Sequence, residues 1–377
     1  MIDPKKLIIF LLCLGNITIS FNAGAVAAAI PIIADGLSQS DVLVSRVVSY
    51  YMVPYGLGAL LYAPLTRYWS YQKILIGAMA LYAVASFASG MSLNIQGLFN
   101  AQILAGVAAA SSTPLSLMII GDFFDKDVRG RLVGTYFGCS FFASTIGMIF
   151  MGTVDWRWLF FIPALLGTVT VASLCLFKSD LLKKTHQASV NYIKAFGKDH
   201  IRNVFALIFV MSFLYHAVQK WYGVYLSREY HLDKFAISLI LILASVCGLT
   251  GQQIGGFLSD KKGRIFTAKV GMVILSAGII LLSQHVPIPF VVAILGAIAM
   301  GWTVGHNAIS TVLTDFPDDD RPIIASLNSS VRFVSGGIGF YLSSFLVAKS
   351  FSMTFLGIGI LMLATAFFIK KIIPSFK

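Results

Sequence analysis

Long apolar stretches separated by short polar segments run along the whole chain. Twelve stretches are long enough to cross a membrane as helices, and ten of them have no formal charge in their middle third. A bilayer core of about 30 Å needs about 20 apolar residues in helical form, because each backbone N–H and C=O must be satisfied within the segment. The pattern predicts an all-α membrane protein with spans at 7–33, 44–66, 73–92, 96–121, 131–153, 158–177, 203–226, 235–258, 265–284, 288–313, 323–346 and 351–369.

Composition agrees with this pattern. Hydrophobic residues make up 57% of the chain and charged residues 12%, which leaves too little polar surface for a water-soluble globule of 377 residues. A signal peptide is the competing interpretation of residues 1–30, where Lys5 and Lys6 precede an apolar run, but eleven further spans favour an uncleaved first helix. The four cysteines fall inside spans, so we predict no disulfide framework, no metal site and no cofactor.

The net charge of +12 indicates membrane orientation rather than nucleic-acid binding. If both termini are cytoplasmic, 21 of the 28 basic residues lie on the inner side. We therefore predict a multi-pass protein of the plasma membrane, the inner membrane of a bacterium, with both termini in the cytoplasm. We expect it to act as a monomer.

The two halves of the chain match each other at a nearly constant spacing. Asp122 corresponds to Asp315, because 315 − 122 = 193, and Gly147 corresponds to Gly339, because 339 − 147 = 192. Such matches indicate a duplicated six-helix unit, the architecture of transporters that rock about a central pathway. We predict an N-terminal bundle at 1–178, a cytoplasmic linker at 179–200 and a C-terminal bundle at 201–377.

The loop at 255–264, with the sequence GGFLSDKKGR, resembles the G-x-L-x-D-R/K-x-G-R/K loop of the major facilitator superfamily. The segments at 29–31 (AIP), 122–123 (DF) and 156–158 (WRW) are also similar to that family, and the resemblance extends over essentially the whole chain to its twelve-span drug:proton antiporter branch. It implies the major facilitator fold of two pseudo-symmetric six-helix bundles and secondary transport by alternating access. It also implies a conformational-gating role for four residues of the loop, namely Gly256, Asp260, Gly263 and Arg264.

The first half departs from the family pattern at three polar positions. Arg67 stands where the corresponding loop has an acidic residue, Gln102 where span 4 has an arginine, and Asn22 where antiporters often have an aspartate. Each change removes a group that the resemblance would use for proton coupling or for gating.

Arg332 is the candidate for the centre of a substrate site. It lies eleven residues beyond Arg321, about 16 Å along a helix and near the middle of the bilayer. An isolated charge there costs roughly 2.5–3.5 kcal/mol and usually has a function. We interpret Arg332 as a contact for an anionic part of the substrate, because a guanidinium binds carboxylate or phosphate in a bidentate manner. Bonding to carbonyl or amide groups of neighbouring helices is the alternative.

Two histidines and a lysine form a second set of candidates. Lys220 and His216 share one face of span 7, with snorkelling of Lys220 and a buried His216 ring as the competing interpretations. His306 either contacts substrate or bonds a neighbouring helix. If transport is coupled to protons, both histidines are the default proton carriers. The remaining substrate-binding candidates are polar residues within spans: Asn22, Gln102, Tyr55, Gln252 and Gln253.

Enzyme signatures do not occur in the sequence, which has no P-loop, no H-E-x-x-H and no nucleophile elbow. We therefore predict a secondary transporter, not an enzyme, that moves a small organic solute by alternating access, with efflux as the leading direction. Uptake or exchange of an organic anion through a basic central site is the alternative. A channel or a receptor-like membrane protein is the alternative outside the carriers.

Overall fold

The computed structural model describes residues 4–177, 182, 192, 196–314 and 321–372. In that part of the chain the backbone forms α-helices joined by turns. In chain order the helices are α1 (Pro4–Ser20), α2 (Ala25–Ala28), α3 (Ile30–Leu37), α4 (Asp41–Leu65), α5 (Tyr71–Gly90), α6 (Ile95–Ala109), α7 (Ser112–Phe123), α8 (Lys126–Thr153), α9 (Trp158–Leu176), α10 (Asp199–Gln219), α11 (Tyr222–Tyr230), α12 (Lys234–Lys262), α13 (Arg264–Leu282), α14 (Ile288–Thr314), α15 (Arg321–Val347) and α16 (Phe351–Ile372).

Helical segments occupy all twelve predicted spans. Among the described residues, eleven of these segments are long and apolar enough to cross a membrane. The exception is α4 in the second predicted span, which contains Arg46, four tyrosines and two prolines and is therefore less apolar. The predicted all-α membrane fold is confirmed.

Three of the predicted spans are interrupted rather than continuous helices. The first is divided into α1, α2 and α3 by turns at 21–24 and 29, the fourth breaks at 110–111 and the seventh at 220–221. Hydropathy measures the apolar length of a span and does not register such breaks. Irregular backbone at membrane depth persists only where protein or a water-filled path satisfies its polar groups. These breaks are therefore places where polar chemistry is concentrated.

The same local turns precede the second long helix of each half. Ser40 caps α4 by accepting from Leu43 N–H at 3.3 Å, and Asp233 caps α12 by accepting from Ala236 N–H at 2.8 Å. Short polar side chains at this position satisfy N–H groups that have no partner within the helix. Two residues earlier, Ser38 and His231 both adopt a left-handed conformation with φ of 53°. Ser40 and Asp233 are 193 residues apart, and so are Ser38 and His231. The internal repeat is therefore present in the backbone.

Contacts divide the chain into two units. The first is Met1–Val190 with Ala325–Val334, and the second is Asn191–Ile324 with Ser335–Lys377. In the first unit α4 packs on α6, α5 packs on α6 and α9, and α1 packs on α9. In the second unit α12 packs on α14, α13 packs on α14 and α16, and α10 packs on α16. Much of the predicted linker 179–200 lies outside the described residues, and the predicted bundle limits stay predictions.

Matching glycines allow close helix contacts in the two units. A Cβ on Gly147 would collide with the carbonyl oxygen of Phe21, and a Cβ on Gly339 would collide with that of Phe213. Gly339 lies 192 residues after Gly147, and Phe213 lies 192 residues after Phe21, so the same contact recurs in the second unit. A side chain at either glycine would push two helices apart, so glycine is required at both positions. The predicted pseudo-symmetry of two six-helix bundles is thus confirmed at the level of packing.

Candidate substrate site

Arg332 lies in the middle of α15, in the segment that groups with the first unit. Its side chain is partly buried, and its Nε donates a hydrogen bond to Asn328 Oδ1 at 2.6 Å. The two residues are one helical turn apart and therefore share a face of the helix. This bond fixes the plane of the guanidinium, whose five N–H donors form a rigid fork.

The segment that bears Arg332 packs closely on α4. The ring of Phe333 stacks on that of Tyr55, with centroids 3.9 Å apart and an interplanar angle of 24°. At Gly56 a Cβ would lie 2.7 Å from the carbonyl oxygen of Ser330 and 2.8 Å from the amide nitrogen of Val334. Arg332 is therefore placed on a segment held against α4 over a full turn. Tyr55 is buried, and its predicted role in substrate binding stays a prediction.

Four aromatic rings from α10 and α14 meet in the second unit, and we call Tyr215, His216, Trp302 and His306 the aromatic–histidine cluster. Tyr215 and Trp302 are stacked with centroids 3.8 Å apart and an interplanar angle of 2°. His216 approaches Trp302 edge-on at 5.9 Å, and His306 lies 5.4 Å from it. The structure thus brings both predicted histidines to one indole ring.

Each histidine of the cluster also has a local polar contact. His216 Nδ1 is 2.8 Å from the carbonyl oxygen of Ser212, and because that oxygen can only accept, Nδ1 bears the proton. His306 Nδ1 lies 3.5 Å from Ser310 Oγ. Each ring thus contacts Trp302 and also a residue one turn away in its own helix.

Lys220 stands at the break between α10 and α11. It is partly buried, and its backbone N–H donates to the His216 carbonyl at 3.4 Å. The next residue, Trp221, is fully buried and donates from Nε1 to Ser343 Oγ at 2.8 Å, which anchors the break. Tyr222 follows, and its buried hydroxyl has no hydrogen-bond partner among the described residues.

The two predicted amides of the first half are buried and bonded within their own unit. Tyr82 donates from its hydroxyl to Asn22 Oδ1 at 3.4 Å, and Gln102 Nε2 donates to Ser89 Oγ at 2.8 Å. Both amides thus hold helices together in this structure.

Gln252 and Gln253 differ from those amides, because both side chains are exposed on α12. The backbone oxygen of Gln252 accepts from Asn307 Nδ2 at 2.7 Å. The predicted contact of both side chains with substrate stays a prediction.

A buried polar network in the first unit was not among the predicted site residues. Asn16 Nδ2 donates to the Tyr136 carbonyl at 2.6 Å, Ser20 Oγ donates to Asn16 Oδ1 at 3.2 Å, and the Tyr136 hydroxyl is 2.7 Å from Ser112 Oγ. A sequence signal for it exists, since Asn16 and Ser20 are polar residues one turn apart inside an apolar stretch. Tyr215 and Asn328 were also missed, although each lies within one turn of a predicted residue.

The candidate gating loop forms the turn between α12 and α13. Gly263 has a φ of +85°, a conformation that favours glycine. Asp260 is exposed in the last turn of α12, with Gly256 one turn earlier, and Arg264 begins α13. In the first half Arg67 is exposed in the turn after α4. The gating roles of these residues stay predictions.

Two repeated bundles of apolar helices define an integral, multi-pass membrane protein of the transporter type. The chain belongs to the Major Facilitator Superfamily, whose family model matches residues 12–315 and also residues 204–375.

Curated relatives agree with this assignment, and a solved structure shares the fold. A multidrug transporter of Candida glabrata is 24% identical over 196 residues, which is 51% of this chain and 34% of that protein. An efflux pump of Hypomyces subiculosus is 27% identical over 175 residues, 45% of this chain and 31% of that protein. The chain thus spans about a third of the length of these curated relatives. The crystal structure of a D-xylose-proton symporter shares the fold with a TM-score of 0.79 at 14% identity, covering 99% of both chains.

Proposed function

We propose that this transporter exports a small organic solute by alternating access and that the solute bears a carboxylate or phosphate. Export is supported by relatives named as a multidrug transporter and an efflux pump. We propose that both termini lie in the cytoplasm, because 21 of the 28 basic residues then lie on the inner side. We also propose that the membrane is the plasma membrane, the inner membrane of a bacterium.

The anionic character of the solute is argued from Arg332. A guanidinium in the middle of an apolar span is costly unless it has a function or a counter-charge. Arg332 and Lys220, charged residues within the predicted spans, are both basic, and this charge favours an anionic solute over a cationic one. The bond from Nε to Asn328 orients the fork of donors that an incoming carboxylate or phosphate would need.

Uptake or exchange of an organic anion is the second candidate, because Arg332 would serve an anion moving in either direction. The shared fold does not decide the direction, since a proton-driven sugar symporter has the same fold as this chain. Export is separated from uptake by measuring transport of the same labelled solute into inside-out vesicles and into right-side-out vesicles. A channel is distinguished from a carrier by counterflow, because trans-stimulated exchange requires alternating access.

The anion site is tested by counterflow in proteoliposomes with labelled organic anions, neutral metabolites and lipophilic cations. We expect anions to be exchanged and Arg332→Gln to abolish most of that exchange. Arg202→Gln is the matched control, because Arg202 is exposed and paired with Asp199 at 2.7 Å. If lipophilic cations alone are exchanged and Arg332→Gln transports them normally, the anion site is wrong.

A further inference from the structure

The aromatic–histidine cluster has the geometry of a ring-binding subsite. Tyr215 is buried, and its ring covers one face of Trp302 at 3.8 Å. Trp302 is itself only partly buried, so part of its indole remains accessible beside His216 and His306. Aromatic rings attract further aromatic rings in offset or edge-on arrangements, and a planar ligand would extend the existing stack.

The Tyr222 hydroxyl is an independent indication of a ligand. Tyr222 is 5% exposed, and its hydroxyl has no hydrogen-bond partner among the described residues. Tyr222 directly follows the break at 220–221 and lies two residues after Lys220. A buried hydroxyl without a partner is unfavourable, and a bound acceptor oxygen would relieve that cost.

The charge of the ligand follows from Lys220. It is partly buried one turn after His216, and an ammonium group provides hydrogen-bond donors and no acceptor. The break between α10 and α11 holds Lys220 next to Tyr222, and Trp221 anchors that break through Ser343. A lysine at this place favours an anion over an aromatic cation of similar shape.

We propose that the transported solute is a planar aromatic carboxylate. Its ring stacks at Trp302 and its carboxylate accepts hydrogen bonds from Tyr222 and Lys220. This assignment rests on the proposed function, because it takes the solute to be an anion, and it specifies the substrate class. Arg332 and Lys220 are both basic residues within the spans and both favour that charge.

The test is a comparison of ligands that differ in one property. The purified protein is titrated calorimetrically with benzoate, with cyclohexanecarboxylate as its saturated analogue and with benzylammonium as the cation bearing the same ring. We expect benzoate to bind about three- to tenfold more tightly than the saturated acid. Equal affinities for the two acids, or tighter binding of benzylammonium, would overturn the proposal.

Two variants locate the preference in the cluster. Trp302→Leu should remove the difference between the two acids, whereas Trp69→Leu, which changes an exposed tryptophan, should leave it unchanged. Tyr222→Phe keeps the ring and should weaken benzoate binding about three- to tenfold, so the proposal remains testable if Trp302→Leu does not fold. A full aromatic preference in Trp302→Leu, or unchanged binding in Tyr222→Phe, contradicts the assignment.

Counterflow separates this proposal from the proposed function. Exchange of aliphatic anions with no aromatic preference in binding would refute the subsite and keep the anion transporter. Aromatic acids that bind with the expected preference and are never exchanged would support the subsite and refute transport.

Discussion

The two halves of the sequence share a scaffold and differ in the chemistry at equivalent positions. At an offset of 192, Ser140 corresponds to Arg332 and Ala110 to Trp302. In the first half of the sequence Ser140 shares a hydrogen bond with Ser20 at 2.5 Å, whereas in the second half Arg332 is bonded to Asn328. Small neutral residues in one half are thus replaced by a large aromatic and a basic residue in the other.

This difference separates what the fold requires from what a substrate would require. Glycine contacts and helix caps recur at 192 or 193 residues because both bundles must bring the same helices together. Polar side chains inside the spans do not recur in the same way, and fold alone leaves such positions free to vary. We therefore look for substrate contacts where the symmetry fails.

Making the halves alike at Arg332 should have the largest effect. Arg332→Ser places at 332 the residue found at the equivalent position 140, and it removes hydrogen bonds to a charged group worth about 1.5–3 kcal/mol. We expect affinity for the transported anion to fall about ten- to a hundredfold, measured by calorimetry. Ser140→Ala is the matched change, and it should alter affinity less than twofold. Equal losses in the two variants would contradict the asymmetry.

Breaking the shared scaffold should destabilise both units alike. Gly147→Ala and Gly339→Ala each force a methyl group against a backbone carbonyl. We expect each to lower the free energy of unfolding by about 1–3 kcal/mol. Denaturant unfolding in detergent measures this, with Gly138→Ala as control, because nothing lies within 4 Å of a Cβ at Gly138. A loss of stability in only one of the two glycine variants would show that the two equivalent contacts do not contribute equally to stability.

The loops of the two halves should differ in their effect on turnover. Asp260→Asn removes the acidic group of the loop between α12 and α13, and we expect the transport rate to fall about tenfold, which is about 1.4 kcal/mol in the barrier, with substrate affinity unchanged. Arg67→Gln in the first half should leave the rate within twofold. Initial rates of counterflow and calorimetric affinities measure the two quantities. An unchanged rate in Asp260→Asn would remove the loop from the mechanism.

The smallest effect is expected for the glutamines. Gln102→Leu removes a buried hydrogen bond to Ser89 and should cost about 1 kcal/mol of stability, with anion affinity preserved. Gln253→Leu changes an exposed side chain and should shift stability by less than about 0.5 kcal/mol. A loss of anion affinity in Gln102→Leu with normal stability would return Gln102 to the substrate site.

Much of the fold could be predicted because its determinants are local in the chain. The spans follow from runs of about 20 apolar residues, and the caps at Ser40 and Asp233 follow from short polar residues before a helix. The repeat could be found by comparing one half with the other. Gly147 and Gly339 were paired from sequence alone, and the structure shows that each lies against a phenylalanine carbonyl.

Tertiary structure decided which polar residues meet. Asn22 and Gln102 have the same polarity as site residues, but they are bonded to Tyr82 and Ser89 of the first unit. Tyr215 and Trp302 are separated by 87 residues, since 302 − 215 = 87, and only the packing of α10 and α14 stacks their rings. A sequence determines what each side chain can donate or accept, whereas the partner depends on contacts between distant segments, and no local pattern records those contacts.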